Sequence, residues 1–167
     1  LEDLLYAISE LSLNKAWVLW IEGDGPLAED IHDTIKKLNI YERVRILGFC
    51  QYDLHSWLLR SSNIVVVPSL EDSWGIVVDE ALQLGKAVIS SDSTGSGYHL
   101  ITNGENGYLF KAGDSLCLRN KLEKLLLDSK LEYKLGLAAR NCNNYPTPQF
   151  NANKLSRLAQ GRLVEGG

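Results

Sequence analysis

Short apolar runs of strand length recur along this sequence, each separated from the next by a stretch spaced like an amphipathic helix. The runs are AWVLWI at 16–21, VRIL at 44–47, IVVV at 64–67, AVIS at 87–90 and YLF at 108–110. Between them, apolar residues return every three or four positions, as at Leu27, Ile31, Ile35 and Leu38, and again over 54–59 and 75–84. Strands that are apolar on both sides must be covered on both faces, and strand–helix alternation supplies that cover. The expected fold is α/β, a doubly wound parallel sheet.

Punctuation residues set the limits. Gly23-Asp24-Gly25-Pro26 reads as a turn, with Pro26 suited to the first position of a helix. Pro68 stops the third strand, and residues 103–107 (NGENG) form a turn before the fifth. Asp114 is an expected N-cap. From there the pattern is helical, broken at Asp128-Ser129 and at 145–148 (YPTP). A length of 167 residues suits one domain, 1–167, with a helical tail from about 148. The opening is unusual. Leu1, Leu4, Leu5, Ile8 and Leu11 space as a helix, whereas a doubly wound domain begins with a strand. The first strand is therefore expected upstream. In a Rossmann-like sheet it is central, so these five strands should leave a gap, unless rearrangement or a partner closes it.

Composition excludes several classes. With 45% apolar and 23% charged residues the chain is neither disordered nor a coiled coil. A net charge of −4 without a basic patch argues against nucleic acid. No apolar run approaches the roughly 20 residues that span a bilayer, and the opening residues are not expected to act as a signal peptide. Three scattered cysteines suit neither a disulfide scaffold nor a zinc site. The expectation is a soluble, cytoplasmic protein, with peripheral attachment at the inner face of a membrane left open. His32, His55 and His99 lack metal-ligand spacing and read as surface or loop residues. No Gly-x-Ser-x-Gly or Gly-x-Gly-x-x-Gly occurs.

The chemistry concentrates at 67–81 (VPSLEDSWGIVVDEA). A strand ends at Pro68, a polar loop follows, and a helix starts near Gly75. The backbone amides of Trp74, Gly75, Ile76 and Val77 then lie at the carboxyl edge of the sheet, where open α/β sheets bind ligands and where a helix start favours phosphate. Gly75 leaves room for close approach. Asp72 precedes the helix, with Glu71 beside it. Glu80 projects from a stripe bounded by Val77 and Leu84, so its carboxylate needs a partner. A sugar cis-diol, offering two hydroxyl donors, is one. Both acids equally suit the positive end of a helix dipole. Residues 94–97 (TGSG) also follow a strand and serve either as a ligand contact or as a plain turn. Trp17 and Trp20 read as core and sheet-edge packing, Trp57 as helix packing and Trp74 as a wedge in its loop.

The stretch 69–89 (SLEDSWGIVVDEALQLGKAVI) resembles the signature of the family-four, or group 1, glycosyltransferases: two acids separated by seven residues, an aromatic-Gly between them, and a Gly-Lys-Pro-Val-Ile strand start. Gly23-Asp24-Gly25-Pro26, RILGF at 45–49 and NGENGYLF at 103–110 resemble other motifs of that family in the same order, so that the likeness covers about residues 1–126. It implies the C-terminal, donor-binding half of the GT-B architecture. It implies sugar transfer from a nucleotide-diphospho-sugar to a glycan or lipid-linked acceptor, with retention of configuration and no metal or other cofactor. Carried over by position, Glu80 would hold the ribose hydroxyls and Asp72, with Glu71 as understudy, the donor sugar. Gly75 and Ile76, flanked by Trp74 and Val77, would offer amides to the diphosphate. Gly48, Phe49 and Cys50 would line the base pocket.

The sequence departs from that pattern in places. Asp72 stands where the family usually has Glu, and Ala87 where it has Pro. Residues 92–100 run one residue longer. The family's diphosphate-binding Arg and Lys, its N-terminal acceptor domain and that domain's histidine have no counterpart here, so the chain alone is expected to be inactive. The final helix, around 150–163, resembles the segment that crosses back to the N-terminal domain. Two other readings remain: one half of a sugar-nucleotide epimerase of the same architecture, and a non-catalytic nucleotide-sugar-binding module.

Overall fold

A computed structural model describes residues 1–13 and 15–142. In chain order the elements are α1 (Glu2–Ser9), β1 (Leu19–Glu22), α2 (Ala28–Lys37), β2 (Val44–Gly48), α3 (Tyr52–Ser61), β3 (Ile64–Val67), α4 (Ile76–Gln83), β4 (Ala87–Ser91), α5 (Gly95–Leu100), β5 (Tyr108–Phe110), α6 (Ser115–Leu127) and α7 (Ser129–Arg140). The α/β expectation holds, and every strand pairing is parallel. The sheet is not continuous: β1 pairs with β2, β3–β4–β5 form a second sheet, and β1 does not pair with β3. This is the expected gap. A cavity of about 600 Å³ lies there, walled by residues of both facing strands, including Trp20, Ile21, Val65 and Val66.

Alternation along the strands divides the core in two. Ala87 and Ile89 of β4 point to one face, with Leu4, Leu5 and Ile8 of α1, Ile35 of α2 and Leu118, Leu122 and Leu125 of α6. Val88, between them, points to the other, with Leu59 of α3, Val78, Ala81 and Leu82 of α4 and Ala139 of α7. This is the period-two geometry of a strand covered on both faces. All five residues of β4 are buried, as befits the middle strand of its sheet.

Local chemistry explains most boundaries. The Asp114 carboxylate caps α6 by accepting from the Cys117 amide at 2.8 Å. Asp128 caps α7 by accepting from Lys130 and Leu131, each at 3.0 Å. In the turn before β5, the buried Asn106 side chain accepts from the Thr102 amide and donates to the Leu100 carbonyl.

Three expectations are corrected. The first strand is 19–22 rather than 16–21, because only those residues find partners on β2. Pro26 lies outside α2, which begins at Ala28, and Leu27 is exposed rather than part of the inward stripe. Residues 95–100 form a short helix that the glycines at Gly95 and Gly97 concealed. The break at 145–148, the tail from 148 and the helix around 150–163 fall outside the described residues.

Candidate active site

The carboxyl ends of β1 and β3 and the start of α4 meet at the large cavity. Glu22, Gly23, His55, Asp72, Gly75, Ile76 and Val77 all line it. The loop before α4 is held by backbone bonds to the start of α5. Asp72 donates its amide to the Ser93 carbonyl, and Gly95 donates to the Asp72 carbonyl. The Ser96 hydroxyl donates to the Gly75 carbonyl at 2.8 Å. Gly75 has φ +74°, and a Cβ there would fall 2.3 Å from Thr94 Cγ2. So this glycine is required by its backbone conformation and by packing on α5, besides whatever approach it allows a ligand.

The first amide of α4 with a partner is that of Val78, which donates to the Gly75 carbonyl at 3.0 Å. The amides of Gly75, Ile76 and Val77 donate to no acceptor among the described residues. They present an unneutralised helix start to the cavity. The Trp74 amide does not join them, because it donates to Asp72 Oδ1 at 3.0 Å. The Trp74 ring stacks on His99 with centroids 6.3 Å apart and does not line the cavity, in keeping with a wedge.

Glu80 has a protein partner. His55 of α3 contacts Glu80 Oε2 through Nε2 at 2.9 Å and both oxygens of Glu22 through Nδ1 at 2.8 and 3.0 Å. His55 is thus a half-buried bridge between β1 and α4, not the surface histidine expected from sequence. Burial alone would lower the ring's pKa, but hydrogen bonds to Glu80 and Glu22 and their charges outweigh it, so the pKa is raised from 6.5. Sequence reasoning gave neither a functional role: it passed over Glu22 and read His55 as a surface or loop residue. The one available signal was the position of Glu22 at the carboxyl end of a strand.

The other sequence candidates are more dispersed. Gly48 closes β2 at φ +68° and accepts from the Gly23 amide. Phe49 is 80% exposed, while Cys50 is buried with its thiol toward the Gly48 carbonyl. Burial and, after it, the charge of Glu22 push the Cys50 thiol up, away from thiolate chemistry. None of the three lines the large cavity, and Glu71 points to solvent. Residues 94–97 serve packing: a Cβ at Gly95 would meet the Ser73 carbonyl oxygen, and one at Gly97 the Ser90 hydroxyl. His32 and His99 are exposed, as expected.

The sequence profile described as "Glycosyl transferases group 1" matches residues 1–142. The chain belongs to this family. Among curated relatives it is 30% identical over 139 residues to the N-acetyl-alpha-D-glucosaminyl L-malate synthase of Bacillus anthracis, covering 83% of this chain and 36% of that protein. It is 32% identical over 140 residues to a sulfoquinovosyl transferase of Arabidopsis thaliana, covering 83% and 26%. The chain therefore spans only about a quarter to a third of the length of such relatives. Among solved structures, Anabaena HepE in complex with UDP superposes with a TM-score of 0.83 at 22% identity, covering 95% of this chain and 44% of that one. The C-terminal domain of the Francisella tularensis group 1 protein LpcC superposes with a TM-score of 0.75 at 24% identity, covering 84% and 75%. What these structures share with this group 1 chain is the GT-B half-fold. Among its described residues no helix is long and apolar enough to cross a membrane. Nor does any group of three or more His, Cys, Asp and Glu among them suit a metal ion.

Proposed function

We propose that this group 1 glycosyltransferase chain is the donor-binding half of a retaining enzyme that moves a sugar from a nucleotide diphosphate to a glycan or lipid-linked acceptor. The reading is carried by the convergence on one cavity of Asp72, the unpartnered amides of residues 75–77 and His55 with Glu22, through which Glu80, not itself a lining residue, is tied to the cavity wall. The amides and helix dipole suit a diphosphate. Glu80 accepts the ribose hydroxyls, Asp72 those of the donor sugar, and Gly48, Phe49 and Cys50 flank the base. The HepE protein, bound to UDP in one structure and to UDP and glucose in another, supports a nucleotide-sugar ligand for this fold. The negative charge of the leaving diphosphate is carried by helix amides and cationic side chains, without a metal. On this reading an acceptor domain, diphosphate-binding Arg and Lys side chains and a strand between β1 and β3 complete the site.

A thermal-shift titration against UDP, GDP, ADP and CMP tests the reading, because a ligand that binds only the native state raises its stability. One nucleotide should shift the melt and name the base. Glu80→Gln should then weaken that nucleotide by about 1.5–3 kcal/mol, the worth of a charge-assisted hydrogen bond. A folded Glu80→Gln protein that binds as tightly as the parent refutes the ribose assignment.

A further inference from the structure

We propose that His55 is the positioning residue of the ribose clasp: as an imidazolium held between Glu22 and Glu80, it fixes the Glu80 carboxylate for the diol and makes nucleotide binding depend on its own proton. This rests on the ribose reading of Glu80 given above.

The geometry demands the charged ring. A neutral imidazole has one N–H and one lone pair, whereas an ionised carboxylate only accepts. Here both ring nitrogens face carboxylate oxygens, Nδ1 toward Glu22 at 2.8 and 3.0 Å and Nε2 toward Glu80 at 2.9 Å. Only the doubly protonated ring donates to both. The raised pKa has the same cause. The side chain of His55 is 15% exposed, against 29% and 35% for its partners, so water competes weakly for the bridge.

Among the described residues, the groups facing the ring come from two elements: Glu22 at the end of β1 and Glu80 in α4. Asp72 lines the same cavity from the loop before α4. Cys50 lies near Glu22 with its thiol pushed up by burial and by that charge. Asp53 and Arg60 are the other charged residues of α3 itself.

The bridged carboxylate still has capacity for a ligand. Glu80 Oε2 has accepted one hydrogen bond, and Oε1 accepts none among the described residues. Two vicinal hydroxyls can therefore reach the two oxygens while the ring holds the group in place. When the ring loses a proton, one nitrogen turns a lone pair toward a carboxylate. Glu22 or Glu80 must then move away, and the clasp loses its orientation. Nucleotide binding is thus tight below the ring's pKa and weaker above it.

Two measurements on the parent chain and on Glu22→Gln, Glu80→Gln and His55→Gln test this. ¹⁵N NMR of the imidazoles should show both nitrogens of His55 protonated at neutral pH, with the midpoint lowered in Glu22→Gln and in Glu80→Gln. Calorimetry with UDP, GDP and ADP across the same pH range should show Kd rising roughly tenfold through that midpoint, on the scale of one charge-assisted hydrogen bond. That rise should vanish in His55→Gln and for the 3′-deoxy analogue, which shares the phosphate titration but lacks the diol. A neutral parent ring at pH 7, or a His55→Gln profile matching the parent's, overturns the role of His55 and leaves the ribose assignment intact. A parent that binds ribo and 3′-deoxy nucleotides equally, or binds none, overturns both.

Discussion

Gly75→Ala probes how the loop before α4 is held. The backbone at this position sits at φ +74°, which costs an L-residue about 1–2 kcal/mol. The added methyl would lie 2.3 Å from Thr94 Cγ2, where carbon atoms normally rest roughly 3.5–4.0 Å apart. The obstacle is the methyl of a fully buried, β-branched side chain whose hydroxyl is tied to Ser91, so it does not swing aside easily, and overpacking of this kind costs about 1–3 kcal/mol. The other neighbours, Ser96 Oγ at 3.3 Å and Asp72 Oδ2 at 3.5 Å, add little. The variant should therefore lose about 2–5 kcal/mol in urea unfolding, seen as a lower midpoint at unchanged slope. Thr94→Ser separates the two causes. It deletes Cγ2 but keeps the hydroxyl that shares a hydrogen bond with Ser91 Oγ at 3.0 Å. In the double variant the clash should be relieved and the conformational cost should remain, a coupling of about 1–3 kcal/mol in the double-mutant cycle. A Gly75→Ala protein within about 0.5 kcal/mol of the parent, the range of an ordinary surface substitution, would refute the packing account. A cycle without coupling would refute the contact with Thr94.

Two further outcomes are expected. Gly136→Ala in α7 should gain about 1 kcal/mol from helix propensity, but its Cβ would lie 2.1 Å from the Gly85 carbonyl oxygen. Because that obstacle is backbone, the clash wins. Thermal unfolding should show net destabilisation, and a raised Tm would contradict the close approach of α7 to the turn at Gly85. His55 should also make stability depend on pH. Its pKa is raised in the folded state, so its contribution is fully present below the unfolded value near 6.5 and is lost as pH rises through the higher folded value. The stability gap between the parent and His55→Ala, measured by urea midpoints, should shrink on going from pH 6 to pH 9. A gap that is constant or widens would sink the bridge.

Much of this architecture was legible because its causes are local. Asp114 and Asp128 announce helix starts, since a carboxylate within reach of free amides stabilises them whatever lies elsewhere. The run Ile64–Val67 reads as a strand because its residues are apolar on both sides. The misreadings have non-local causes. Residues 16–18 are as apolar as those that follow, and only β2 decides where pairing starts. The glycines of α5 look like loop residues until Ser73 and Ser90 are seen against them.

The candidate site divides in the same way. By itself, the sequence determined the alternation of strands and helices and the acid pair Asp72 and Glu80 around a helix start. Each follows from side-chain type at fixed spacing along one segment. Only the tertiary structure decided that His55 joins Glu22 to Glu80, that Trp74 gives its amide to Asp72, and that Gly75 is glycine partly because of Thr94. The His55 bridge and the Gly75 contact join residues 19 or more positions apart in the chain. Hydrogen bonds and steric contacts act over a few ångströms of space, and no periodicity along the chain encodes which distant residues the packed core will bring that close.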